Sequence, residues 1–95
     1  MIRVFVLYAE APDPERYEQH VALNLREVPS ALVRHGRILG SAQGKSEYAY
    51  YFEYEFPDRE TWDQAREGLL KGAEDADRLG VPFKVYFAEL ETATA

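Results

Sequence analysis

The residues able to do chemistry in this chain are few: His20, His35 and the glutamates of one aromatic stretch, with no cysteine to act as nucleophile or thiolate ligand. His20 suits a general base, or a ligand for a metal or haem iron, because an unperturbed imidazole titrates at about pH 6.5. An imidazole packed at a helix–sheet boundary and holding one hydrogen bond is the structural alternative. His35 stands beside Gly36 in a segment with little pattern. Glu53 and Glu55 lie on one face of a strand pattern, so burying them together would raise one of their pKa values. In a cavity Glu53 would abstract a proton from a phenol or enol; as a structural residue it would pair with Arg3. His20 and Glu53 are therefore the catalytic candidates, and Arg3, Phe5, Tyr17, Asn24 and Tyr51 are the candidates for a ligand pocket. No His-x-x-x-His, His-Glu-x-x-His or carboxylate-rich spacing occurs, so no dedicated metal site is expected. Gly36-x-x-x-Gly40 lacks the Lys-Ser/Thr of a phosphate loop, and no other motif calls for a cofactor.

The elements that must hold these side chains are easier to read. Glu47 to Phe56 alternates with period 2 and has an aromatic at every even position, which predicts a strand with one apolar face and one mixed face. Ile2 to Tyr8 reads as a first strand with Ile2, Val4, Val6 and Tyr8 on one side, ended by Pro12 and Pro14. Asp13 then caps a helix that starts at Pro14 and carries Tyr17, Val21, Leu25 and Val28 as its apolar stripe, until Pro29 stops it. Leu32 to Ser41 is expected to be a strand, with Gly36 and Gly40 marking a bulge or a close approach by another chain. Gln43-Gly44-Lys45 is its hairpin turn.

Asp58 caps a second helix, in which Trp62, Ala65, Leu69, Ala73, Ala76 and Leu79 face inward and Glu74, Asp75 and Arg78 face mostly outward. Gly68 and Gly72 inside it imply close helix–sheet packing, and Gly80 and Pro82 end it. Phe83 to Glu91 is the last strand. The order β-α-β-β-α-β is the ferredoxin-like pattern: an α+β fold with a four-stranded antiparallel sheet and two helices on one face.

Composition narrows the partners. At 95 residues and 46% hydrophobic content, residues 1–95 form one small domain. A formal charge of −6 with scattered Lys and Arg argues against nucleic acid or an anionic membrane as a partner. The apolar run after Met1 is too short for a signal peptide or a membrane span, so the chain is expected to be cytoplasmic. A single Met, a single Asn and many Glu and Arg fit a thermophilic source. Two helices can cover only one sheet face, and the other would show Phe5, Leu7, Ala49 and Tyr51 among charges. A homodimer through that sheet face is expected.

These features together resemble the EthD-like branch of the dimeric α+β barrel proteins. The resemblance rests on the strand Met1 to Tyr8, the helix motif Tyr17-x-x-His20, Pro29 before the second strand, and Tyr54 to Phe56 leading into Pro57-Asp58 and Trp62. His20 and Leu23 match the branch's histidine-x-Pro-Leu pattern, with Ala22 standing where the proline would be. It implies a dimeric barrel within a superfamily of cofactor-free monooxygenases, haem-degrading enzymes and decarboxylases, so it selects no one reaction. Two function classes follow. One is a small-molecule, monooxygenase-like enzyme working through His20 between sheet and helices, or through Tyr51 and Glu53 on the opposite face. The other is a non-catalytic dimeric module that binds a small apolar or aromatic ligand or assists a neighbouring enzyme.

Overall fold

The computed structural model describes residues 1–95. The chain runs β1 (Ile2–Tyr8), α1 (Pro14–Glu27), β2 (Leu32–Arg37), β3 (Tyr50–Phe56), α2 (Arg59–Gln64), α3 (Arg66–Asp77) and β4 (Phe83–Glu89). The strands form one antiparallel sheet in the order β2-β3-β1-β4, and this is the ferredoxin-like architecture. Central β1 pairs Val4 with Tyr54 of β3 and with Phe87 of β4, which sets the register of the whole sheet. Alternation then sends Ile2, Val4, Val6, Tyr8, Phe52, Tyr54 and Phe56 under the helices, where all are buried.

Several boundaries differ from expectation. β3 begins at Tyr50 rather than Glu47, because the Ser46 hydroxyl donates to the Tyr48 carbonyl and accepts from its N–H, turning the chain away from the ladder. β2 ends at Arg37, and Ser41 and Gly44 form a small bridge in which Gly44 takes the positive φ of 123° that suits glycine.

The second helix is two helices. At Ala65 the backbone N–H bonds to the Trp62 carbonyl, a tighter turn with ψ near 1°. The bend lets Trp62 reach Phe87 on edge strand β4 while α3 packs along α1.

Gly68 and Gly72 serve helix–helix contact more than helix–sheet contact. A Cβ at Gly68 would collide with the Glu27 carbonyl oxygen, and one at Gly72 with the Asn24 side chain and, at 2.8 Å, the Tyr54 hydroxyl. The expected stripe of α1 is also turned. Tyr17, His20, Asn24 and Val28 are buried, whereas Leu25 is 55% exposed. His20 and Asn24 of this inward ridge both have bonding partners, whereas the buried Tyr17 hydroxyl has none.

The sheet face away from the helices is mixed, as expected. Phe5 stacks between Tyr51 and Tyr86, with ring centroids 6.0 and 5.4 Å away. Below them lies a cluster of Arg3, Arg34, Glu53 and Glu55.

Candidate active site

Between the sheet and helices α2 and α3 lies a cavity of about 630 Å³. Its walls are mostly apolar, from Val4 and Val6 of β1, Leu69 and Ala76 of α3, and Phe83 and Phe87 of β4. This volume is in the range of small-molecule pockets. The cavity's polar groups are sharply divided. At the mouth stand Arg66 and Asp63, an exposed pair 3.4 Å apart. His20, Tyr8 and Tyr54, all buried, and the half-buried Trp62 indole contribute the remaining hydrogen-bonding side chains of the lining.

His20 is held on both sides. Its Nδ1 lies 2.8 Å from Oδ2 of Asp75, and its Nε2 lies 3.0 Å from the Tyr8 hydroxyl. Asp75 is itself gripped by Arg16, whose guanidinium donates at 2.6 Å to the other carboxylate oxygen. Asn24 donates to the His20 carbonyl at 2.8 Å and accepts from the Tyr54 hydroxyl, which ties the sheet to the same helical turn.

The environment tunes these groups. Burial drives the His20 imidazole toward its neutral form, partly opposed by the hydrogen bond and charge of Asp75. Burial works against the Asp75 carboxylate too, but hydrogen bonds from Arg16 and His20 outweigh it and hold the group below its usual range. Burial pushes the Tyr8 and Tyr54 phenols well above theirs, so both stay protonated. A neutral histidine oriented by an ionised carboxylate, with a protonated tyrosine at its free nitrogen, is an arrangement that can accept a proton from a ligand and return it.

No family model matches the sequence, and no curated protein matches it. Solved structures do match in shape. An EthD (ethyl tert-butyl ether D) family protein from Bacillus halodurans C-125 superposes with a TM-score of 0.73 at 22% identity, covering 96% of this chain and 99% of that one. The chain has the EthD-like fold. SnoaB, a cofactor-independent oxygenase from Streptomyces nogalater, superposes at 0.63 with 13% identity, over 97% of this chain and 94% of its own. A dimeric ferredoxin-like protein of unknown function from Jannaschia sp. CCS1 superposes at 0.69 with 18% identity, over 94% and 98% of the two chains.

Within this EthD-like fold the sequence-derived candidates separate. His20 lines the cavity; Glu53, Arg3, Phe5 and Tyr51 lie on the opposite sheet face and do not. The Glu53 carboxylate is 2.7 Å from Arg34 and 3.4 Å from Arg3, and accepts the Tyr51 hydroxyl at 2.8 Å. Its oxygens are thus occupied by structural partners, the Arg3 pairing that the sequence offered as the alternative. Burial and the bond to Glu53 push Tyr51 up to about 12.

Tyr17 and Asn24 stand behind the cavity wall rather than in it. Tyr17 packs edge-on against Tyr8, and Asn24 bonds the floor residue Tyr54. His35 stacks on Phe52 away from the cavity.

Sequence reasoning missed Tyr8, Tyr54 and Asp75. Alternation places both tyrosines on the buried sheet face, where the structure has them, but an even-position tyrosine does not reveal where its hydroxyl ends. Helical spacing puts Asp75 on the outward side, whereas it is buried against α1. The available signal was its position between Gly72 and Ala76, residues small enough to lie against another helix.

Across the whole chain, no three His, Cys, Asp or Glu side chains converge as a metal site would require. No helix is long and apolar enough to cross a membrane.

Proposed function

We propose that this protein is an EthD-like, monooxygenase-like enzyme that acts as a homodimer on a small, flat apolar molecule in the helix-side cavity, with His20 as the general base. The observation that carries the reading is the chain Asp75–His20–Tyr8 set into the wall of an otherwise apolar cavity. Tyr8 and His20 are fully buried at the base of the cavity, so the ligand displaces the side chains over them before its acidic proton passes to the Tyr8 oxygen as the Tyr8 proton moves to Nε2 of His20. Asp75 then balances the imidazolium across a 2.8 Å contact. The dry walls favour this transfer, because a buried charge pair interacts more strongly than one in water. The anion left behind is electron-rich and is the form that dioxygen oxidises most readily. That the similarly folded SnoaB is described as a cofactor-independent oxygenase supports the same chemistry here.

The open face is assigned to assembly. Phe5, Tyr51 and Tyr86 form its apolar centre, and its charges are already paired within the protomer, so a second copy covers it without stranding a charge. The dimeric description of the Jannaschia protein supports this assembly.

The test is turnover. Purified protein is incubated in air with a panel of flat apolar compounds bearing an ionisable proton, and substrate loss and oxygen uptake are followed. His20→Gln should lower the rate by about a hundredfold or more, the range of a general base, while the far-UV spectrum and melting profile show a folded protein. Glu53→Gln should not act through the chemical step. Ligand binding without turnover in the native protein, surviving His20→Gln, would replace the enzyme reading with that of a carrier module.

A further inference from the structure

The polar groups of the cavity divide into those a ligand meets first and those sealed beneath them. Tyr8, His20 and Tyr54 lie at the base, each no more than 5% exposed. The outer half of the lining is open. β4 is the edge of the sheet, so the residues it turns toward the helices keep part of their surface, and Phe87 is 64% exposed. Leu70 of α3, which lines the same cavity, is 59% exposed. Among these apolar surfaces stand three polar side chains, Trp62, Asp63 and Arg66. Trp62, Arg66, Leu69, Ala73 and Ala76 follow helical spacing, so they line the cavity as one ridge despite the break at Ala65.

The hydrogen-bonding capacity of this outer half is one-sided. No protein group accepts from the Trp62 indole N–H, and its nitrogen is not sealed: the buried unpartnered side-chain atoms of the protein are Arg3 Nε and the Tyr17 hydroxyl alone. The Arg66 guanidinium is 84% exposed and has five N–H bonds, yet its one partner is Asp63 at 3.4 Å. An exposed contact of that length holds it weakly. Arg59, the cation of α2, is by contrast bonded to Glu89 at 2.9 Å. Two uncommitted donors therefore face a ligand, and the single acceptor, Asp63, is already engaged.

We infer that this half of the cavity receives an amphiphilic carboxylate, its apolar body against Leu70, Phe83 and Phe87 and its carboxylate on the donors of Arg66 and Trp62. This rests on the cavity being the ligand site and names the substrate class it takes. A planar carboxylate matches the fork of N–H bonds that a guanidinium presents, and a bond between charged groups is about twice as strong as a neutral one. The apolar body covers surface that the protein otherwise leaves in water. An ammonium in the same place would find Asp63 alone to accept and two donors opposing it. The formal charge of −6 favours the ammonium at long range, so a preference for the carboxylate has to come from these local groups.

Trp62 is the one tryptophan of the chain, so its fluorescence reports occupancy of this cavity. Two probes that differ only in the head group, 4-butylphenylacetate and 4-butylbenzylammonium, are titrated into the full chain near neutral pH at physiological salt. The carboxylate should bind about tenfold more tightly, the discrimination expected of one charged hydrogen-bonded pair. Arg66→Gln should weaken the carboxylate about tenfold and abolish the preference. Asp63→Asn removes the competing carboxylate and should tighten the same probe about threefold. Both side chains are exposed, so neither substitution disturbs the core, and far-UV spectra check that both variants are folded.

Equal affinities, tighter binding of the ammonium, or no fluorescence change with either probe would overturn the inference. So would a carboxylate preference that survives Arg66→Gln, or a carboxylate affinity that Asp63→Asn fails to raise. Carboxylate binding with the expected signature in a protein without turnover keeps this inference and removes the enzyme reading. Turnover of uncharged compounds, with the carboxylate bound no better than the ammonium, does the reverse.

Discussion

Replacing Gly72 with alanine should destabilise the protein, although alanine is the better helix former. At a helix position with open space the change is worth roughly 1 kcal/mol in alanine's favour. Here the new methyl would press on the Asn24 Oδ1 and lie 2.8 Å from the Tyr54 hydroxyl and 3.3 Å from Asn24 Cγ. Relieving that contact means moving α3 off α1, at a cost of about 1–3 kcal/mol for overpacking. It also separates Tyr54 from Asn24, and two buried groups left unpaired add about 1–3 kcal/mol. The net loss is about 1–5 kcal/mol, or a fall in Tm of roughly 4–40 °C for a domain of this size. Gly68→Ala should be at least as damaging, because the obstacle there is the backbone carbonyl of Glu27 and no side chain can swing aside. Thermal melts followed by circular dichroism, with urea titrations to check that the slope is unchanged, measure both. Variants as stable as the native protein, or more so, would show that the two helices do not meet as closely as described.

Acidification should destabilise the fold in two steps. Burial holds His20 below its ordinary 6.5, so the unfolded chain takes up a proton first and stability falls as the pH drops below that value. Asp75 is held below its ordinary 3.8 by Arg16 and His20 against the effect of burial. It contributes stability above that pH that is lost as the pH falls through the lowered value. Urea midpoints across this range should show the first step in the native protein and not in His20→Gln. A flat profile down to pH 5 would contradict the buried, neutral imidazole. Removing the cap of α1 with Asp13→Ala leaves the Arg16 N–H without its 3.0 Å acceptor. The expected loss is about 1 kcal/mol in a urea titration. Phe5→Glu places a charge at the centre of the open-face aromatic stack, and sedimentation should find the native protein dimeric and the variant monomeric at micromolar concentration. A native protein that sediments only as monomer would remove the assembly from the proposal.

The amino-acid sequence by itself determined the order of the four strands and the helical regions between them, though not the break at Ala65. Alternation in Ile2 to Tyr8 and in the aromatic strand leaves one assignment of faces, and Asp13-Pro14, Pro29, Asp58 and Gly80 punctuate the helices. All of these act through neighbouring residues, so they are legible in one dimension. The helix-side position of His20 was legible too, as one of two options. Tertiary structure alone brought the members of the candidate site together. His20 meets Tyr8 across 12 residues and Asp75 across 55, and Tyr54 meets Asn24 across 30, so no local pattern joins them. The rotation of α1 was hidden for the same reason. Periodicity ranks Leu25 as inward and Asn24 as marginal, and only the presence of Tyr54 and Asp75 opposite makes the polar ridge cheaper to bury than the leucine. Glu53 shows the converse. A strand carboxylate looks reactive when its neighbours are unknown, and becomes structural once Arg3 and Arg34 are folded against it.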